Sequence, residues 1–423
     1  MSAADTTGVQ DIMRALKVPS FARLAGTYAL NEIADWFASI ALAILVYDHT
    51  DSALATTALF VASRFLPAFV VPALSARLDA LPTARTLVGI YLVEGLTLTG
   101  LALSSSTFLL PVVLLFAFVD GALAATARAL TRSATVVLME PKGLLREGNA
   151  TMNLSFTAMN AVAPIAAGAL VAATNAGVVL GIAAGLFALQ AISIAGARDL
   201  AAGDPEAAAW RESLGEAVAY VRAHRFLKVL LFSQVFVIIG LMMIPPIEII
   251  YATESLDAGE VGYGVLIAAW GVGMVLGGLV FARERKRSIL GLIVVGTVMQ
   301  AVAYLLMAGA PTLVLACIPA VVGGIGNGMH WVSVVTAVQE ATEERFQTRI
   351  NALMESLVTA APGLGFLLGG AVTSLFDPRI ALITAGVIVL LSLAGWVLAG
   401  GLRGERAPAP SLLPDAEPVP EPV

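Results

Sequence analysis

Apolar residues run through this chain in long blocks divided by short polar breaks. The blocks fall at about 21–47, 52–76, 84–104, 107–130, 149–172, 176–196, 227–251, 261–282, 288–308, 312–338, 350–374 and 379–400. A helix needs about 20 residues to cross the hydrocarbon core of a bilayer, and each block is that long. Several breaks are very short, such as Ser104-Ser105-Ser106, Thr174-Asn175-Ala176-Gly177 and Ala310-Pro311. Short connections make antiparallel neighbours. The pattern predicts an all-α membrane protein with twelve transmembrane helices, grouped as two six-helix bundles.

The longest break separates the two sets of six. The expected organisation is a segment 1–20, a first bundle 21–196, a polar linker 197–226, a second bundle 227–400 and a tail 401–423. From Trp210 to Lys228 the linker reads as an amphipathic helix, with Leu214, Ala217, Val218 and Val221 sharing a face. The tail holds six prolines, Pro408, Pro410, Pro414, Pro418, Pro420 and Pro422, and is expected to be disordered.

Charge orients this arrangement. Of the 24 Lys and Arg residues, all but Arg64 and Arg379 fall in alternate connections or at the two termini. These include Arg77 and Arg85, the group Arg128, Arg132, Lys142 and Arg146, and the group Arg283, Arg285, Lys286 and Arg287. The intervening connections hold Asp48, Asp51, Glu254, Asp257, Glu260 and Asp377. Basic loops stay cytoplasmic, so both termini are expected inside, in a multi-pass protein of the plasma (inner) membrane.

Composition narrows the function. Of 423 residues 58% are hydrophobic and only 13% charged, against roughly 25% charged in soluble domains. The net charge of −6 argues against a nucleic-acid partner. There is no G-x-x-x-x-G-K-[ST] phosphate loop and no soluble segment long enough to hold a nucleotide. The single cysteine, Cys317, lies in an apolar run and reads as a small core residue. No His/Cys/acid cluster has zinc spacing and no nucleophile has an adjacent base, so neither an enzyme nor a cofactor is expected. The first twenty residues lack a signal-peptide core.

The two halves resemble each other weakly. Asp120-Gly121 matches Asn327-Gly328, Arg146-x-x-Asn149-Ala150 resembles Arg349-x-Asn351-Ala352, and Ala163-Pro164 and Ala361-Pro362 follow in the same order. Two parallel six-helix repeats around a central path form a transporter architecture.

Charges inside the apolar blocks are the candidate chemistry, because a charge near the bilayer centre costs at least ~2.5–3.5 kcal/mol. The first block carries Asn31, Glu32 and Asp35; Glu32 and Asp35 are three apart and share a helix face. The second carries Arg64. A hairpin turn near Thr50 brings Asp35 and Arg64 to nearly the same depth, so an Asp35–Arg64 contact is expected, with Glu32 nearby. Two acids against one base leave an unmatched carboxylate, suited to taking up and releasing a proton. The same cluster could instead be a static clamp between the first two helices. Asp120 is a candidate for a proton or a cationic substrate, or a packing residue. Glu94 could compete for Arg64. In the second half His330, beside Asn327 and Trp331, could relay a proton or simply pack. Gln234 is a candidate polar contact. Met242, Met243, Pro245 and Pro246 suggest an adaptable, broken wall.

The chain resembles the major facilitator superfamily over nearly its whole length, and within it the macrolide-efflux and enterobactin-exporter-like branch. The resemblance rests on Ala34-Asp35-Trp36, Ser63-Arg64-x-x-Pro67, Leu144-x-x-x-Gly148-Asn149-Ala150, Gly262-Tyr263-Gly264 and Arg349-x-Asn351-Ala352. The superfamily's signature between helices 2 and 3 survives as Ala76-Arg77-Leu78-Asp79 followed by Arg85, with Ala76 in place of the glycine. Asp79 and Arg85 are then candidates for a gate. Ala163-Pro164-x-x-Ala167-Gly168 resembles an antiporter signature with two glycines replaced by alanine.

The resemblance implies the major facilitator fold, alternating access and a cavity lined by helices 1, 4, 7 and 10. Asn31, Glu32, Asp35, Asp120, Gln234, Asn327 and His330 fall on those helices, with Arg64 and Glu94 in the adjoining layer. It implies proton-coupled efflux of amphipathic drug-like or siderophore-like small molecules by a functional monomer. Asp35, Glu32, Arg64 and Asp120 would couple to protons. Asn31, Glu94, Gln234, Asn327, His330 and Trp331 would touch the substrate. A metabolite or lysophospholipid carrier or uniporter is the alternative, and a transporter-like receptor a more distant one.

Overall fold

The computed structural model describes residues 14–79, 81–197, 218–283, 287–343 and 346–402. Among them the chain forms α1 (Pro19–Thr50), α2 (Ala53–Phe60, a π-helical turn Val61–Phe65, then Pro67–Asp79), α3 (Thr83–Ser104), α4 (Leu110–Met139), α5 (Leu145–Ala173) and α6 (Ala176–Ala195). The second half forms α7 (Arg225–Met242, resuming at Glu248–Ile250 and ending in a π-helical turn Tyr251–Ser255), α8 (Gly259–Arg283), α9 (Ile289–Ala308), α10 (Leu313–Glu340), α11 (Gln347–Leu375) and α12 (Pro378–Leu398). Eleven helices among the described residues are long and apolar enough to cross a membrane. In α11 only Ala360–Leu375 is apolar, because Gln347, Arg349, Asn351 and Glu355 make its first turns polar.

Helix starts follow local chemistry. The side chains of Ser52, Asn175, Thr312 and Asp377 accept from the backbone N–H of Ala55, Val178, Leu315 and Arg379, satisfying donors left open at a first turn. Threonines inside the helices donate to the carbonyl four residues back, as Thr126 does to Ala122 at 2.7 Å and Thr297 to Ile293 at 2.7 Å. A hydroxyl in an apolar setting is thereby satisfied without a partner helix.

Two ends of the molecule can be told apart. Arg225 at the start of α7 donates to the Ala399 carbonyl just past α12, and Arg23 of α1 lies against Gly196 after α6. This is the terminus-bearing end. At the far end His49 stacks on Phe108 at 4.6 Å, and Arg379 donates to the carbonyls of Ala308, Ala310 and Ser255.

The halves touch unevenly. α5 packs against α8, and α2 against α11. Two approaches are backbone to backbone: a Cβ on Gly264 would lie 2.4 Å from the Pro164 oxygen, and one on Gly168 would lie 2.5 Å from the Glu260 oxygen. All four residues lie in the far-end portions of α5 and α8. Tyr47 of α1 donates a hydrogen bond to the Glu254 carboxylate of α7 at the same end. One apolar core accordingly joins the first half to Ile244, Ile250, Tyr263, Met307 and Phe366 of the second. A separate core of Tyr220, Leu230, Val334, Met354 and Trp396 contains only second-half residues. The described halves thus share a core at the far end and part towards the termini.

Two expectations need correction. The basic group of Arg128, Arg132, Lys142 and Arg146 was expected in one connection. α4 instead runs on to Met139, so Arg128 and Arg132 lie on a helix face. α7 was expected as one span over 227–251 but breaks after Met242, where Pro245 and Pro246 remove two backbone donors. The expected linker helix lies mostly outside the described residues, although 218–223 is helical and Tyr220 stacks on Phe346 at 4.3 Å. The first thirteen residues and the tail from 403 also lie outside them.

The glycine contacts generate a stability prediction. Gly264→Val forces a side chain into the Pro164 backbone, and overpacking of this kind costs about 1–3 kcal/mol. A lower melting temperature in detergent is expected, whereas Gly181→Ala, which meets open space, should leave it unchanged. Equal melting of the two variants would remove the α5–α8 approach as a stability determinant.

Candidate functional site

Arg64 sits in the α2 π-helical turn. Pro67 lacks an N–H, so the Ser63 carbonyl loses its helical donor, and the turn widens so that the Leu66 N–H reaches the Val61 oxygen at 2.9 Å. Single π turns inside α-helices recur at functional positions. The freed Ser63 carbonyl meets α4 at Gly121, where an added Cβ would lie 1.8 Å from it. That approach sets Asp120 beside Arg64. The matched residue in the second half, Gly328, makes the same kind of approach, 2.1 Å from the Met274 oxygen of α8. Close α2–α4 and α8–α10 crossings are therefore what the Asp120-Gly121 and Asn327-Gly328 pair encodes.

Between α1, α2 and α4 lies a cavity of about 480 Å³. Asp35, Ser39, Ser63, Arg64, Asp120, Arg128 and Arg132 give its polar wall. Arg128 pairs with Asp35 through Nη1 and Oδ2, and this is the ion pair the structure records among the described residues. Arg64, exposed within the cavity, donates to the Ser39 hydroxyl at 3.3 Å.

The expected Asp35–Arg64 contact is thus corrected. The hairpin does bring both residues to one cavity, but Arg128 reaches Asp35 from α4. Sequence reasoning counted Arg128 with a basic connection although it falls inside the block 107–130. The spacing of Asp120, Ala124, Arg128 and Arg132, each four apart, could have revealed a polar stripe on one helix face.

Other acids gather behind this wall. Glu32 is 5% exposed and Glu94 is 0% exposed. The charges bearing on Glu94 are Asp120, Asp35 and Arg128, and those on Glu32 are Asp35, Arg128, Arg64 and Arg132. Several atoms here have no hydrogen-bond partner among the described residues: Asn31 Nδ2, Glu32 Oε1, both Glu94 carboxylate oxygens and Asp120 Oδ1. Four acids thus face three bases across α1 to α4. In this conformation Glu94 is shut off from the lumen, so a molecule in the cavity would not touch it.

The second-half candidates do not assemble into one site. His330 is 3% exposed and faces α9, its Cβ against Gly296, with Nε2 unpartnered. Gln234 is buried, Asn327 half-buried and Trp331 exposed. Of the gate candidates Arg85 is exposed, and the side chain of Asp79 lies outside the described ones. A carboxylate that sequence reading passed over, Glu248, appears just past the Pro245-Pro246 break.

Comparison with known proteins places this geometry. The family model described as Major Facilitator Superfamily matches residues 230–423. No curated protein sequence matches the chain. Among solved structures the nucleoside transporter NupG has 13% identity and a TM-score of 0.74, covering 90% of this chain and 99% of its own. A bacterial homolog of the human lysosomal transporter Spinster, inward-facing and unoccupied, has 15% identity and a TM-score of 0.71, with 92% and 98% covered. The POT family transporter PepTSo has 10% identity and a TM-score of 0.70, with 90% and 97% covered. What the chain shares with these three is the fold. The family match covers the second half of the chain, and the shared fold extends over both halves.

The ion pair makes a measurable claim. Removing one partner of a desolvated pair strands the other charge. Arg128→Gln should therefore lower the melting temperature more than the double change Asp35→Asn/Arg128→Gln. The coupling energy should be about 1–2 kcal/mol, as for directly contacting groups. Additive effects of the two single changes would mean that the residues do not interact.

Proposed function

We propose that the chain is a secondary active transporter, exporting amphipathic drug-like or siderophore-like small molecules in exchange for protons. The observation that carries this reading is the Asp35–Arg128 ion pair in the wall of a cavity that also holds Asp120 and Arg64. The shared fold with three transporters supports the transporter class.

In this reading the terminus-bearing end is cytoplasmic, by the distribution of Lys and Arg. The cavity is then open inwards and closed at the outer end by α5–α8, α2–α11 and the Tyr47–Glu254 hydrogen bond. A paired, ionised Asp35 suits the state that has already released its proton to the cytoplasm and is ready for substrate. Once the cavity opens outwards, a proton on Asp35 cancels its attraction for Arg128 and loosens α1 from α4. The free energy of the proton returning inwards is what makes export uphill. A membrane potential of 100 mV supplies about 2.3 kcal/mol per charge. Glu32 and Asp120, each with an unpartnered oxygen, are the acids able to share the proton. Differential stability of the two conformations with and without that proton is the whole coupling.

A lipid-like substrate is the second reading. An apolar groove of about 650 Å³ lies on the other face of α2, lined by Leu54, Val61, Leu66, Leu114, Phe118 and Leu367. It would accept an acyl chain beside the polar cavity.

Everted vesicles test the coupling. A panel of macrolides, lipophilic cations, a catecholate siderophore and a lysophospholipid should contain a class that triggers proton movement with the unaltered protein. With Asp35→Asn, uphill accumulation should fall to background while downhill counterflow continues. Uphill accumulation persisting in that variant would remove Asp35 as the coupling residue.

A further inference from the structure

The apolar groove on α2 is built across a joint between the halves. Its walls come from α2, from the Pro111–Phe118 stretch of α4 and from Leu367 of α11. Thr57 and Ala62 are small and buried and lie at its floor, while Leu54, Leu66, Leu115 and Leu367 are exposed and stand at its rim. Beside it α11 rests directly on α2. A Cβ on Gly370 would lie 1.8 Å from the Thr57 hydroxyl oxygen, and one on Gly363 would lie 2.3 Å from the Phe65 ring. Phe60 and Phe366 meet across the same joint with centroids 5.7 Å apart. The groove has this shape only while α2 and α11 are in contact.

Polarity, length and access select its occupant. The one hydroxyl in the wall, that of Thr57, already donates to the Ala53 carbonyl at 2.8 Å. A trapped water needs about two to four polar partners, so water does not fill the groove. Leu54 to Leu66 covers twelve residues of α2 from its far-end start, a length of about 18 Å in a helix. One leaflet's share of the hydrocarbon core is about 15 Å. The groove therefore runs as deep as one leaflet, from the far-end surface to the middle of the bilayer. Its rim opens outwards, with Leu115 61% and Leu367 51% exposed. The polar cavity lies on the opposite side of α2, against Leu59, Phe60, Ser63 and Arg64, so the groove is entered from the bilayer.

We propose that the groove seats one acyl chain of a bilayer phospholipid from the far-end leaflet, and that this chain holds the far end closed. Inside a bilayer no hydrophobic force favours protein over lipid as a neighbour. What favours the seat is dispersion, which is forfeited wherever an apolar wall faces a void. With the halves joined, the chain touches α2, α4 and α11 at once. When α11 parts from α2, the Leu367 wall leaves and those contacts go with it. The lipid thus binds the closed far end better than the opened one, and by linkage stabilises it. The assignment rests on the membrane embedding of the chain and on the α2–α11 joint, and is independent of cargo and of proton exchange.

The test uses full-length protein in nanodiscs of phosphatidylcholine with a diazirine midway along one acyl chain, irradiated and mapped by peptide mass spectrometry. Adducts should concentrate severalfold on 54–66, 111–118 and Leu367 over other exposed apolar positions such as Ile192 and Leu391. Ala58→Trp, which fills the groove, should lower the groove adducts severalfold and leave those at Ile192 unchanged. Gly370→Leu changes no lining residue but wedges α11 from α2, and should lower them as well. Even labelling of all exposed apolar positions in the unaltered protein overturns the site, whether or not the variants fold. So do groove adducts unchanged in Ala58→Trp. Full labelling in Gly370→Leu overturns the link to closure. Displacement of the adducts by a lysophospholipid that accumulates in vesicles would make the groove a cargo site, and protein–protein cross-links in place of lipid adducts would assign it to a second copy. Either result overturns the proposal.

Discussion

The Asp35–Arg128 ion pair is the interaction on which the candidate site is organised. An arginine and an aspartate inside an apolar bundle each cost several kcal/mol of lost hydration, and pairing recovers part of that only if the helices hold them in register. The register comes from the backbone. Pro67 opens a π turn in α2, the freed Ser63 carbonyl admits α4 at Gly121, and α4 then presents Asp120, Arg128 and Arg132 along one face. The pair is therefore a consequence of a proline, a glycine and a four-residue spacing acting together. Glu32, Glu94 and Asp120 all lie within the field of Arg128, and each also feels the repulsion of Asp35.

Much of this was legible in the sequence, and the failures have a common cause. Apolar blocks gave the helices, and the alternation of charge between connections gave an orientation to propose. Intramembrane Asp35, Glu32, Arg64 and Asp120 stood out because charges there are rare. Arg128 did not, because a block-by-block reading ends a helix where polarity begins. A helix bordering a water-filled cavity carries charges within its span, so its end is set by capping and turn chemistry instead; α4 stops at Met139, before the turn containing Pro141 and Gly143. Hairpin geometry correctly gave Asp35 and Arg64 a common depth but could not say which of two bases is nearer, because that depends on the rotation of a third helix.

The asymmetry between the two ends is a packing property. Backbone approaches through Gly168 and Gly264 need complementary surfaces along whole helix turns, and dispersion of this kind falls off within an ångström. Such contacts are either made or lost, which is what a rocking motion between two closed ends requires. The Tyr47–Glu254 hydrogen bond adds a polar tie across the same closed end.

Charge is distributed unequally between the halves, and this bears on how transport and recognition divide. The first half carries a cluster of acids and arginines, Glu32, Asp35, Glu94 and Asp120 facing Arg64, Arg128 and Arg132. In the second half Arg379 is tied to the backbone carbonyls of Ala308, Ala310 and Ser255, and Glu248 follows the break in α7. A proton-handling site benefits from several competing charges, because small displacements then change which group is ionised. Arg64 stands between the two halves, hydrogen-bonded to Ser39 on one side and bearing on Tyr263 on the other, so a change of charge on either side reaches the same guanidinium.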